Sequence, residues 1–255
     1  MKKLLLTFLM VGLIACLLIG CNGVTTPPGE GEGEGEGEEE VSRVVMVETF
    51  SQVNCANCHV VDPILEQLAE EYSREEIVLV EESAYGLYSF DEIKDRYYWY
   101  FPNVADRGTP NILFNGFDTA RLHGASTYTA IKNKIVLELG KDPKIKITAL
   151  RNSDSDTTTI TGTIENISTS DLSNLIINGM NFRDRGGEGL KYSVMDIFAN
   201  NPTEITVSSL ASNEKANFSF TMENINWDGN NYHGVIFVQA VKSTKKEILQ
   251  AMYVE

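Results

Sequence analysis

The chain is poor in cysteine, and its second half has none: the four cysteines are Cys16, Cys21, Cys55 and Cys58. Everything after residue 58 therefore folds without the disulfide staples of small secreted domains. Basic residues are also short, 21 Lys and Arg against 36 Asp and Glu, for a formal charge of −15. That balance argues against nucleic acid or an anionic lipid surface as partner. The three histidines, His59, His123 and His233, are scattered and no second C-x-x-C exists, so a zinc site has too few ligands. The G-x-S-x-G, P-loop, H-E-x-x-H and dinucleotide-binding patterns are all missing. No metal and no cofactor are expected.

What is present begins with a targeting segment, residues 1–20. Lys2 and Lys3 are followed by a run from Leu4 to Ile19 that is apolar almost throughout, shorter than the roughly 20 residues of a membrane-spanning helix. It ends in Leu18-Ile19-Gly20-Cys21, which resembles the lipobox of bacterial lipoproteins. The resemblance implies cleavage before Cys21, lipidation of its sulfur, and anchoring outside the cytoplasm. Cys55 and Cys58 are then the two cysteines left with free chemistry. Within residues 21–40, Thr25 to Glu40 reads TTPPGEGEGEGEGEEE, with nothing apolar to bury and charges that repel. This reads as an extended tether between membrane and folded chain.

Residues 41–140 alternate strand and helix signals. Arg43 to Phe50 is short and β-branched, and Val61, Ile64 or Leu65, Leu68 and Tyr72 form one apolar stripe at helical spacing. Ile77 to Val80 reads as a second strand, and Ser89-Phe90-Asp91-Glu92 as a capping box opening a helix towards Tyr100. Pro110 to Phe114 reads as a further strand, Asn115-Gly116 as a hairpin-type turn, and Ser126 as the cap of a helix ended by Gly140. Residues 141–255 change grammar: short period-two strands, including Thr158 to Ile164, Ala216 to Met222 and Val235 to Val241, are separated by turn-rich stretches. About seven strands without a helix pattern indicate a β-sandwich of immunoglobulin-like type. Each segment has its own apolar periodicity, so a cut near Lys141 to Lys144 is expected to leave two separately folded pieces.

Cys55-Ala56-Asn57-Cys58 follows a strand and opens a helix. Unpaired N–H groups and the positive end of the helix dipole stabilise a thiolate there, and a loop this short contributes little as a structural staple. In such motifs the first cysteine is the exposed nucleophile and the second resolves the mixed disulfide. CANCHVVDPILEQLAEEY, with Pro63 five residues after Cys58, resembles the active-site helix of the thioredoxin superfamily. Arg107-Gly108-Thr109-Pro110-Asn111-Ile112-Leu113-Phe114-Asn115-Gly116 resembles the loop and strand that follow in that fold. The resemblance covers roughly Val41 to Gly140 and implies a cis peptide bond before Pro110, beside the cysteine pair. It also implies that Thr109 offers backbone groups to an extended substrate. The whole layout is similar to outer-membrane lipoproteins with a thioredoxin-like half.

The chain departs from that family at two points. Asn54 stands where tryptophan is usual before the first cysteine. Thr49 stands where the family buries an aspartate that helps move the resolving cysteine's proton, and neighbouring Glu48 should face the other side of its strand. The aromatic stretch Tyr85, Tyr88, Phe90, Tyr97, Tyr98, Trp99, Tyr100 and Phe101 is either core and inter-domain contact or the lining of a groove. The expected fold is an α/β thioredoxin-like domain followed by an all-β immunoglobulin-like sandwich. The expected function is a membrane-anchored thiol–disulfide oxidoreductase with Cys55 and Cys58 as catalytic pair, Thr109 and Pro110 at the substrate, and protein thiols or disulfides as partners. Its face of the membrane and its oligomeric state stay open. Two alternatives stand beside it. One is a binding lipoprotein whose C-x-x-C is vestigial or redox-sensing. The other is c-type haem attachment, because His59 completes C-x-x-C-H; haem would need a second axial ligand, for which His123, His233 and scattered methionines are the candidates.

Overall fold

The computed structural model describes residues 41–117, 121–154, 156–186, 190–198, 205–223, 225, 227–242 and 245–255. The targeting segment, Cys21 and the Gly/Glu tether lie outside the described residues. In the first half the elements are β1 (Val45–Ser51), α1 (Ala56–Glu71), β2 (Ile77–Ser83), α2 (Asp91–Tyr100), β3 (Asn111–Phe114), β4 (Gly116–Phe117), β5 (Arg121–His123) and α3 (Tyr128–Leu139). In the second half they are β6 (Ile145–Ser153), β7 (Thr157–Asn166), β8 (Leu172–Arg183), β9 (Ser193–Ile197), β10 (Ile205–Leu210) and β11 (Lys215–Glu223). The single turn α4 (Trp227–Asn230), β12 (His233–Lys242) and β13 (Lys245–Val254) complete the chain. Among the described residues the fold is thus β-rich, with four α-helices and a mixed sheet.

β1 runs parallel to β2 and antiparallel to β3, which pairs antiparallel with β5. All seven residues of β1 and of β2 are buried, which requires a layer on each face. Val45, Val47, Ile77 and Leu79 pack under Val61, Leu65 and Leu68 of α1 and Ile131 and Ile135 of α3. Because side chains alternate along a strand, Met46, Val78 and Val80 point the other way. There they meet Ile93 of α2 together with Met180, Val235, Phe237, Ile248 and Ala251 from β8, β12 and β13.

The two segments expected to fold separately share one sheet. The sheet continues across residue 140, in the order β4-β13-β12-β8-β9-β2-β1-β3-β5 with β10 also on β8, and β2 joins β9 at Glu81 and Ser193. β12 is buried without interruption from Gly234 to Ala240. One of its faces lies in the shared cluster. The other, through Ile236 and Val238, packs beneath a second sheet of β11, β7 and β6 that contributes Phe218, Phe220, Ile160 and Ile164. Residues 40–255 accordingly form one compact unit.

Three local expectations are corrected. Ser89 does not cap α2: the N-cap is Phe90, without a side-chain bond, because the Ser89 hydroxyl donates to the Ala84 carbonyl. Thr127, one residue after Ser126, caps α3 by accepting from Ala130 N. Asn115 and Gly116 do adopt positive φ, 54° and 77°, but they close no hairpin. They redirect the chain onto β13, where Gly116 pairs with Glu247. A Cβ at Gly116 would sit 2.1 Å from the Lys246 carbonyl oxygen.

The seam between the halves holds a buried ionic cluster. Arg96 on α2 donates to Glu48 at 2.7 Å, Tyr100 donates to the other Glu48 oxygen at 2.9 Å, and Gln239 of β12 donates to Tyr100 at 2.8 Å. Glu82 is fully buried beside them; burial first, and then the charge of Glu48, hold its carboxyl well above the usual range. Removing the Arg96 cation strands Glu48 and Glu82 without their ion-pair partner. Arg96→Met is expected to cost about 3–5 kcal/mol, measured by urea unfolding, and adding Glu48→Gln should recover part of it. An Arg96→Met loss below about 1 kcal/mol would show that the seam is solvated.

Candidate active site

The chain leaves the carboxyl end of β1 and enters α1 through Cys55, whose extended backbone makes it the N-cap. Its sulfur accepts from the Cys58 backbone N–H at 3.1 Å, so a first-turn donor and the helix dipole both favour negative charge on it. The same turn brings the two Cα atoms to 5.2 Å, and Cys55 and Cys58 are joined as a disulfide. The pair is asymmetric. Cys55 is partly exposed, while Cys58 is fully buried. A partner from solution therefore reaches the first sulfur and not the second.

The Thr109 carbonyl oxygen lies 3.4 Å from Cys55 Sγ. The Thr109–Pro110 peptide is cis and Pro110 is buried. The structure thus brings Cys55, Cys58 and Thr109 together, with Pro110 immediately behind. The loop is held by the aromatic stretch. Tyr97 OH accepts from Gly108 N at 2.6 Å and lies 2.8 Å from the Gly108 carbonyl, to which Asn111 Nδ2 also donates at 2.7 Å. Tyr97, Tyr100 and Phe101 pack with Phe50 and Leu113 as core, whereas Tyr98 is exposed. His123 is brought against this loop from β5: a Cβ at Gly108 would approach its ring nitrogen to 2.7 Å. His233 is elsewhere, 2.5 Å from Tyr253 OH through Nδ1. His59 is exposed on the first turn of α1. Among the described residues no group of three or more His, Cys, Asp or Glu is placed to hold a metal, and no helix is long and apolar enough to cross a membrane.

The buried polar groups of β1 and β2 are unusual. Glu48 faces away towards Arg96, as strand alternation requires, and Thr49 lies on the α1 side, fully buried, its hydroxyl without a partner. In register with Thr49 on the neighbouring strand stands Glu81, also buried. Burial pushes its carboxyl up to about 8; the charges of Asp62 and Glu66 add to this, and the Tyr192 N–H, donating at 2.8 Å, works against it. Asp62, on the turn of α1 after Cys58, is pushed up to about 6 by its own burial, opposed by His59. Sequence reading ended β2 at Val80 and so missed Glu81. The available signal was two adjacent acids continuing a buried strand in IVLVEES.

The sequence matches no protein-family model and no curated protein. Among solved structures, HBP35 of Porphyromonas gingivalis is similar over 84% of this chain and 75% of its own length, with a TM-score of 0.63 at 14% identity. That likeness is one of fold, and its extent includes both halves. A domain of the outer membrane lipoprotein Omp28 from Porphyromonas gingivalis aligns over 45% of this chain and 89% of its own, at 16% identity and a TM-score of only 0.33.

Proposed function

We propose that this chain is a membrane-tethered thiol–disulfide oxidoreductase acting outside the cytoplasm on protein thiols or disulfides. In this reading residues 41–140 are a thioredoxin-like unit, residues 141–255 an immunoglobulin-like sandwich built onto it, and Cys21 the lipidated anchor. One observation carries the redox assignment: the cysteine pair at the start of α1 has one reachable sulfur, N-capping its own helix, and one buried sulfur. That asymmetry suits an exchange in which a client attacks or is attacked at Cys55 and Cys58 closes the cycle. The Thr109 carbonyl beside Cys55 supports the same reading, because it leaves backbone next to the reacting sulfur for an extended client segment. The rival reading is a binding lipoprotein with an inert disulfide. The two part on turnover. The purified chain is expected to catalyse reduction of insulin disulfides in the presence of dithiothreitol, or oxidation of a reduced peptide. Its reduction potential sets the direction: values near about −270 mV mark a reductant and near about −120 mV an oxidant. No catalysis in either direction would assign the chain to the binding class.

A further inference from the structure

Tyr97 of α2 is 0% exposed and packs ring to ring with Phe50 at 4.9 Å and Phe101 at 5.2 Å. A phenylalanine would make those contacts equally. What the hydroxyl adds is two bonds to a single residue: it accepts from Gly108 N–H at 2.6 Å and donates to the Gly108 carbonyl at 2.8 Å. Asn111 Nδ2 donates to the same carbonyl at 2.7 Å. The hydroxyl is a fixed point, because the residues on either side of it in α2 are tied to the seam: Arg96 and Tyr100 bind Glu48, and Gln239 of β12 binds Tyr100. The chain enters this loop extended at Arg107, with φ −83° and ψ 139°. In extended backbone the N–H and C=O of one residue point one way and those of the next point the other. With the pair of Gly108 turned to Tyr97, that of Thr109 is turned away from it. The Thr109 carbonyl is accordingly found 3.4 Å from Cys55 Sγ, and the Thr109 N–H makes no bond among the described residues.

We propose that Tyr97 is a positioning residue for the client, an inference that rests on the redox reading of the cysteine pair. Its hydroxyl withholds the backbone of Gly108 and presents that of Thr109 beside Cys55, and so sets the register in which an extended client segment pairs with the loop. The client this selects is a chain with free backbone N–H and C=O groups around its cysteine. A cysteine inside a helix has those groups spent on its own turns and is not bound. In the exchange the Cys55 thiolate attacks the client sulfur of a client disulfide. A Cys55–client S–S bond forms, the client's original S–S bond breaks, and its former partner leaves as a thiolate with the electron pair. A slip of one residue sends every side chain of an extended segment to the opposite face. Pairing with Gly108 instead of Thr109 would therefore turn the client sulfur away from Cys55. His123 secures the same residue from β5, since a Cβ at Gly108 would lie 2.7 Å from its Nε2.

The test uses the reduced full chain and an extended peptide whose single cysteine is a mixed disulfide with nitrothiobenzoate. Release of nitrothiobenzoate against peptide concentration gives a half-saturation concentration and a limiting rate for attack by Cys55. Tyr97→Phe keeps the ring and loses both bonds to Gly108. It should raise the half-saturation concentration about 10-fold and act on the limiting rate much less. Dithiobis(nitrobenzoate) has no peptide backbone, so the preference for peptide over this reagent should fall by about the same factor. A second peptide, N-methylated on the backbone nitrogens flanking its cysteine, lacks the client's donors. The wild type should bind it as weakly as Tyr97→Phe binds the plain peptide. Tyr97→Phe should weaken it no further, because both changes remove the same pairing. Equal weakening of both peptides, or equal slowing towards dithiobis(nitrobenzoate), reduces Tyr97 to packing and overturns the proposal. So does a half-saturation unmoved in Tyr97→Phe, or a wild type indifferent to methylation. Should Tyr97→Phe fail to fold, Asn111→Ala frees the same carbonyl and must show the same selective loss; equal loss with both peptides overturns the proposal. A wild type whose peptide adduct is never displaced by Cys58 refutes the redox reading itself, which keeps the two failures apart.

Discussion

Cys58→Ser is expected to convert the chain into a trap, accumulating mixed disulfides between Cys55 and client proteins, whereas Cys55→Ser should accumulate none. The expectation follows from the asymmetry of the pair. Cys55 is partly exposed, caps α1, and receives the Cys58 N–H at 3.1 Å, all of which favour an accessible, stabilised thiolate. Serine at 58 keeps that backbone N–H and removes only the resolving sulfur, so attack proceeds and release does not. In both variants catalysed exchange should fall to background. The readout is non-reducing gel mobility of the two variants in their native compartment, with a reduced control. Trapping by both variants to the same extent would assign the wrong nucleophile. No adducts from either, with an inactive wild type, would favour the binding reading.

The second large effect concerns the halves. A chain ending at Gly140 is expected not to fold, although it contains both cysteines, α1 and the loop carrying Pro110. Met46, Val78, Val80 and Ile93 share their cluster with Met180, Val235, Phe237 and Ile248. Burying one such side chain contributes about 1.5–3 kcal/mol, so uncovering four forfeits roughly 6–12 kcal/mol. Domains of this size have only about 5–15 kcal/mol in total. The loss also strips Gln239 from Tyr100, leaving the Arg96–Glu48 cluster open on one side. Proteolysis between Lys141 and Lys144 should behave differently: the two fragments remain associated under native conditions and separate only in denaturant. Circular dichroism and size exclusion decide both points. A 41–140 fragment that unfolds cooperatively with native near-ultraviolet signal would show that α1 and α3 cover enough of the sheet.

Much of the candidate site is local in sequence. The C-x-x-C, the strand before it and the stripe Val61, Leu65 and Leu68 after it are contained within 24 residues, from Val45 to Leu68. Over that range the chain's own periodicity decides which face is buried, and a helix N-terminus acts on a cysteine in the same turn. The positive φ of Asn115 and Gly116 is equally local, a matter of which residues tolerate that backbone. The Gly/Glu-rich stretch before residue 41 and the absence of cysteine after residue 58 belong to composition alone. What periodicity leaves open is the partner of a buried face. The alternation of β1 and β2 says that Met46, Val78 and Val80 are covered, but α-helices would satisfy it as well as β12 and β13 do. The cover comes from residues well over 100 positions away, chosen by closure of the whole sheet. Tertiary contact also cancelled a good local signal: Ser89 spends its hydroxyl on Ala84 and α2 starts uncapped. Glu81 is the sharpest case. Nothing in IVLVEES distinguishes it from Glu82, yet alternation sends Glu82 to the Arg96 seam and Glu81 beneath α1 near Asp62. Which of two adjacent acids lies beneath α1 depends on strand register and on what each sheet face meets, and only the assembled layers determine both.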